Sequence, residues 1–406
     1  MERSRERVQA ALEQRPGPVP VDFGSTAVTG IHVSVVAALR EYYGLAKEPV
    51  KVHEPLQMLG RLEEDLKRAM GVDVEGAFRA KTGFGFANEG WKEWEFNGLE
   101  VLVPRDFNTT VDTNGDILLY PQGDLTAAPS GRMPKGFHFF DAIIRQNHFD
   151  PENLDPEDNC EEFQPISEED LEYLDGETAR AEATGRFVIA NFGGTSFGDI
   201  ARVPGTHMKD PRGIRDVTEW YVSLRSRREY VHAVFERECE VGSRVGALMV
   251  CGTDFGTQTS AFSSKATFDE LWLPYYRRVC EWVHANTNWK CFKHSCGSVD
   301  RFIPSFIEAG FDILNPVQCS AAGMEPEHLK REYGGRIVFW GGGVDTQHTL
   351  PFGTPAEVRE QVLRRCEVFG RDGGFVFNSI HNSPAGTPVE NVAAMLAAVA
   401  EYNGRE

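Results

Sequence analysis

The stretch WKCFKHSCGSVDRFIPSFIEAGFDILNPVQ, residues 289–318, decides the fold. It opens with an apolar, strand-like run, WKCFKHS, and continues into a helical segment, VDRFIPSFIEAG. It ends in a second strand-like run, FDILNPVQ. Strand, helix and strand in succession read as one parallel crossover unit. The same unit recurs on both sides. Downstream come a short helix near EPEHLKREYG, the strand RIVFWGGG, a helix in TPAEVREQVLRRCEVFG, the strand GFVFNSIH, and a helix starting TPVENVAAML. Thr354 and Thr387 each precede Pro and stand three residues before Glu, the signature of a helix start.

Upstream, RFVIANFGG (186–194) reads as a strand, followed by a helical stretch over 217–239. GALMVCGTDFG (246–256) is the next strand and loop. The helix over 267–287 begins with Thr267 and Glu270, spaced as a capping box requires. Pro274 should kink it near its first turns. Five or six consecutive units predict a parallel sheet, and nearly all these strands end in Gly, Asp, Asn, Gln, His or Cys. Polar residues gathered at the carboxyl ends of parallel strands predict a (β/α)8 TIM-type barrel.

The first part of the chain is less regular. VPVDFGS (19–25) and GVDVEGAF (71–78) suit barrel strands, while FNGLEVLVP (96–104) and TTVDTNGDILLYP (109–121) suit hairpins, with Asp112–Asp116 as a turn. A barrel takes about 250 residues, so the 406-residue chain is expected to be a single domain, residues 1–406, with a hairpin and helical insertion at about 85–185.

Composition bounds the function. The chain is 41% hydrophobic and 11% aromatic, which is globular. Its formal net charge of -19 argues against nucleic acid or an anionic membrane as partner. Thirteen Asp or Glu and no Lys or Arg lie between Asp150 and Glu177, the composition of a solvated surface segment. The first sixteen residues read as a charged surface helix, not a secretory signal. No run approaches the roughly eighteen apolar residues of a membrane span. Eight scattered cysteines without a signal predict reduced thiols and a cytoplasmic location.

His294 and Cys296 stand two apart at a strand end, so their side chains point to one side. A thiolate and an imidazole together favour zinc, and a catalytic zinc takes about three protein ligands with one position open. The alternative is a packed thiol beside a hydrogen-bonded histidine. His381 ends the last strand and is the candidate third ligand, with Cys319 as its competitor. Asp254 and Gln258 could hydrogen-bond substrate, orient a ligand or stabilise their loop. Asn315 and Gln318 end a strand at the same rim. Asp345 follows three glycines and is a candidate catalytic group or a loop cap. Asn382 adjoins His381 as a substrate-binding or ligand-supporting residue. Gly341–Gly343 lacks the lysine and spacing of a nucleotide loop.

In order along the chain, GTDFGTQTS (252–260), HSCG (294–297), ILNPVQ (313–318), FWGGGVDTQ (339–347) and IHNSPAGTPVENV (380–392) resemble the uroporphyrinogen decarboxylase superfamily, and more closely its corrinoid-linked methyltransferase branch. The resemblance covers about residues 186–400 and implies a (β/α)8 barrel whose methyltransferase members hold zinc through His-x-Cys and a later Cys. His294 and Cys296 match the first two positions. At the third, this chain has His381 where coenzyme M-type enzymes carry cysteine, aligned through Thr387-Pro388. That departure argues against coenzyme M as acceptor. Asp254, Gln318 and Asp345 then take catalytic roles, and Gln258, Asn315 and Asn382 bind substrate.

The resemblance implies methyl transfer between a small O- or N-methyl compound, or a tetrahydrofolate or thiol acceptor, and the cobalt of a corrinoid. No Asp-x-His-x-x-Gly signature is present, so the corrinoid is expected on a separate protein. A homodimer is left open. A decarboxylase-type lyase is the alternative, although VDFGSTAVTGIHVS (21–34) has no arginine to grip substrate carboxylates. A non-catalytic corrinoid- or metal-binding accessory protein is the third reading.

Overall fold

The structure is a computed structural model and describes residues 4–161, 166–191, 195–245 and 250–404. Residues 192–194, the end of one expected strand run, and 246–249, the start of another, lie outside the described residues, as does 162–165 of the acidic segment.

Five parallel strands pair in chain order: Val250–Cys251, Phe292–His294, Ile313–Asn315, Val338–Trp340 and Phe375–Val376. Spatial order equals sequence order, as a run of crossover units dictates. The first strand-like segment extends this sheet. Phe377 N–H donates to Pro20 O, and Asp22 N–H to Phe377 O, each at 2.8 Å. Asp73 N–H then reaches Val21 O at 2.7 Å, leading into Val74–Phe78, which pairs in parallel with Phe187–Asn191. These eight segments form one hydrogen-bonded series. Among the described residues, no pairing joins its ends, Val250–Cys251 and Phe187–Asn191. The architecture is α/β.

Alternation along the short strands divides two cores. Ile313, Val338, Trp340 and Val376 enter one cluster, whereas Leu314, Phe339, Phe375 and Phe377 enter another with the surrounding helices. This is the two-residue period of a strand buried on both faces. The first cluster also takes Val8, Ala11 and Leu12 of the Ser4–Leu12 helix. That helix, expected as a surface helix, therefore buries one face. The positions 8, 11 and 12 share a helical stripe that the surrounding charges mask in the sequence. Arg7 anchors it by an ion pair with the buried Asp73.

Several helix starts are corrected. Ser264, not Thr267, caps Lys265–Leu271, its side chain accepting from Thr267 N–H. The expected single helix breaks at Trp272, and Leu273–Asn286 follows with Pro274 in its first turn, where a missing N–H costs nothing. The 217–239 stretch is two helices, Val217–Ser226 and Arg228–Val245, parted at Arg227. Thr354 and Glu357 complete a capping box on Pro355–Gly370. Thr387 does not cap Val389–Tyr402, because its hydroxyl donates to Pro384 O at 2.8 Å.

Antiparallel strands occupy residues 92–142. Lys92–Phe96 and Leu99–Val103 form a hairpin around Asn97 and Gly98, whose φ values of 50° and 80° suit a tight turn. Val50–Glu54 and Leu59–Gly60 join this sheet. Thr109–Val111 and Ile117–Leu119 form a second hairpin, closed by Asp112 Oδ1 accepting from the N–H groups of Asn114 and Asp116. Among the described residues, no helix is long and apolar enough to cross a membrane.

Candidate metal centre

His294 shares a strand face with Phe292, which lies in the inner cluster, so its imidazole points inward at the carboxyl end of the strand. The chain then turns at Gly297, with φ of 86°. A Cβ there would lie 2.3 Å from both the carbonyl carbon and oxygen of Gly256. Two glycines thus let the loops after neighbouring strands touch, and Ser298 N–H donates to Thr257 O at 2.8 Å. This contact carries Asp254 to Cys296, whose N–H donates to Asp254 Oδ1 at 2.7 Å.

Three donors converge. Cys296 Sγ lies 3.6 Å from His294 Nε2, and the His294 and His381 ring centroids are 5.4 Å apart at 67°. The ligand atoms of His294, Cys296 and His381 all lie within 4.8 Å of one another. Two strands lie between Phe292–His294 and Phe375–Val376, and His381 sits in the segment after the latter, not at the strand end as expected. Only the inward aim of both side chains brings them together.

Asn315 sets the tautomer of His294. Its amide nitrogen donates to Trp340 O at 2.9 Å, which turns Oδ1 toward His294 Nδ1 at 2.7 Å. Nδ1 is then the protonated nitrogen, and the Nε2 lone pair faces Cys296 and His381. Burial, with His294 alongside, pulls His381 down to about 3, so its imidazole is neutral and able to ligate. Burial also pushes the Cys296 thiol well above its usual range, with the charge and hydrogen bond of Asp254 adding to it. A divalent cation would reverse that balance. Two imidazoles and one thiol, partly buried, fit the donor set and number of a zinc site with a position left open.

The remaining expected residues divide. Gln318 Oε1 accepts from Gly297 N–H at 2.8 Å, and its amide donates to Gln258 Oε1 at 3.1 Å. Gln258 in turn donates to Gln347, so three glutamines tie three rim loops together. Gln347 was missed as a site residue, although it lies within the quoted FWGGGVDTQ. Asp254 lies 3.9 Å from His294 Nε2 and belongs to the cluster's edge.

Asn315, expected to bind substrate, has both ends of its amide engaged by protein, at His294 and Trp340. Asn382, also expected to bind substrate, is held by protein groups on both ends of its amide. Its Oδ1 accepts from Gly30 N–H at 2.6 Å, and its amide donates to Ala27 O and Gln57 Oε1, each at 2.9 Å. It clips the loop after the first strand to the loop after the last. Asp345 accepts from Gln347 N–H at 2.8 Å and lies 3.2 Å from His348 Nδ1. The Cys319 thiol donates to Val317 O at 3.4 Å and is outside the three-donor group.

Asp22 was also missed. It is fully buried, accepts from Trp340 Nε1 at 2.9 Å, and burial holds its carboxyl up at about 6. The signal was present as one acid inside the apolar run VPVDFGS.

No curated protein matches the chain. Among solved structures, a methyltransferase from Methanosarcina mazei is similar over 99% of each chain, with a TM-score of 0.56 and 13% identity. At that identity the likeness concerns the fold. Residues 229–402, which hold all three donors, match the family described as uroporphyrinogen decarboxylase (URO-D). That is the superfamily whose motifs the sequence resembles, and the match covers the part of the chain that carries most of them.

Proposed function

We propose that the protein is a zinc-dependent methyltransferase of a corrinoid system. On this reading it moves a methyl group between a small O- or N-methyl compound, or a tetrahydrofolate or thiol acceptor, and the cobalt of a corrinoid. The convergence of His294, Cys296 and His381, with Asn315 fixing the His294 tautomer, carries the reading. The superfamily match and the fold likeness to a methyltransferase support it.

His294, Cys296 and His381 would hold the zinc. Bound there, zinc would supply a Lewis acid that activates a poor oxygen or nitrogen leaving group, or lowers a thiol pKa. The protein's own residues prepare the site. Asn315 keeps the proton of His294 on Nδ1, away from the cluster. Asp254 holds the Cys296 backbone and accepts its thiol proton in a hydrogen bond. Gln258, Gln318 and Gln347 brace the rim over which substrate enters.

The eight-segment series would close into a (β/α)8 barrel as a single domain, with residues of about 85–185 as an insertion. The corrinoid would arrive on a separate protein that covers the rim, in the cytoplasm, with homodimerisation compatible. The decarboxylase reading is disfavoured by residues 21–34, which carry the buried Asp22 and no arginine. The test is zinc content together with methylation of free cob(I)alamin, followed optically over a panel of methyl donors. Loss of one zinc per chain in His294→Ala and in Cys296→Ser, with methyl turnover in the native chain, is expected. Carbon dioxide release from an acid without metal would favour the lyase. Corrinoid-protein binding without turnover would favour the accessory role.

A further inference from the structure

We infer that His284, Cys291 and Asp312 form a second divalent-metal site at the opposite end of the parallel strands, taking zinc or another borderline-soft ion. Their ligand atoms all lie within 4.8 Å of one another. The residues come from three places. His284 is near the end of the Leu273–Asn286 helix, Cys291 immediately precedes Phe292–His294, and Asp312 immediately precedes Ile313–Asn315. Cys291 and Asp312 therefore mark the amino ends of two strands whose carboxyl ends carry His294 and its partner Asn315.

Asp312 organises the group. Its Oδ2 lies 2.8 Å from His284 Nε2 and accepts from Cys291 N–H at 2.7 Å. Its Oδ1 pairs with Lys290 Nζ at 3.1 Å. Lys290 thus occupies one carboxylate oxygen, leaving the other to face the imidazole. The Cys291 side chain is buried, which shields a thiolate ligand, while His284 is exposed and leaves room for a water as fourth ligand. Gly310 turns beneath the ring with φ of 97°, and a Cβ there would lie 3.8 Å from His284 Cε1.

One imidazole, one thiol and one carboxylate are a zinc-type donor set; a hard ion such as magnesium or calcium would require oxygens throughout. Binding would exchange the proton between His284 and Asp312, and that of the thiol, for the ion. Its consequence is mechanical. The ion would tie a helix end to the start of two strands, and it would stabilise the folded chain by an amount that grows with the logarithm of the free ion concentration above the dissociation constant.

The test uses the full chain, stripped of metal and titrated with cobalt(II), whose thiolate charge-transfer absorbance reports each site separately. The native chain should take two ions, His381→Ala one, and His381→Ala with His284→Ala none. In His381→Ala the remaining thiolate band should vanish with Cys291→Ser. His284 is exposed, so its replacement leaves the core untouched. A titration that His284→Ala leaves unchanged, or a His381→Ala variant that binds no ion, overturns the second site. Because His284→Ala alone retains the His294, Cys296 and His381 group, the two assignments fail independently.

Discussion

Asn315 Oδ1 accepts from His294 Nδ1 at 2.7 Å while the other end of the same amide donates to Trp340 O at 2.9 Å. One buried amide therefore converts a backbone carbonyl on the neighbouring strand into a choice of histidine tautomer. The asparagine cannot flip without setting its NH2 against the histidine and its oxygen against a carbonyl.

Replacing that amide tests its role. Asn315→Leu should lower zinc affinity roughly 10- to 100-fold, the range for a lost ligand-orienting partner. Competition with a chromophoric chelator would measure it. An unchanged affinity in a folded Asn315→Leu protein would remove the orienting role.

Metal affinity should depend on pH through the thiol. Cys296 is pushed well above its usual range, so it is protonated at mildly alkaline pH and loses its proton on binding. His381, pulled down to about 3, is already neutral and releases none. Above about pH 7.5 the logarithm of the association constant should therefore rise by about one per pH unit. A slope near two would require a second proton released on binding and overturn the thiol as the sole proton donor in this range.

Gly297→Ala should damage both fold and site. The added Cβ would meet Gly256 at 2.3 Å, and φ of 86° is strained for any side chain. A loss of more than about 1 kcal/mol is expected, with weakened zinc binding as Asp254 moves off Cys296. Gly17→Ala, where nothing lies within 4 Å, is the matched control and should shift the melting temperature little.

Asp22 should make stability fall as the solution becomes less acidic. Its carboxyl is held at about 6 against an ordinary value of 3.8. Between those values the folded state binds more protons than the unfolded chain, so stability declines as pH rises from about 4 to 6 and is flat above. The contribution lost is about 3 kcal/mol. Asp22→Asn should flatten this part of the profile in denaturant titrations at several pH values. An unaltered profile would show that Asp22 is not the group responsible.

The alternation of strands and helices, the start of Pro355–Gly370 and the shared face of His294 and Cys296 were legible in the sequence. Each is local: hydrogen-bond periodicity, a cap and a two-residue repeat all depend on neighbours within a few positions. Ser264 outcompeting Thr267 as a cap was less legible, because both offer a hydroxyl and the backbone decides which one accepts. The convergence of His381 with His294, the place of Cys319 outside that group, and the hydrogen bonds that engage Asn382 and Asp345 were decided only by tertiary structure. Those outcomes depend on which side chains the inner face aims at one point and which buried amides must first satisfy backbone groups. Chain spacing does not encode either.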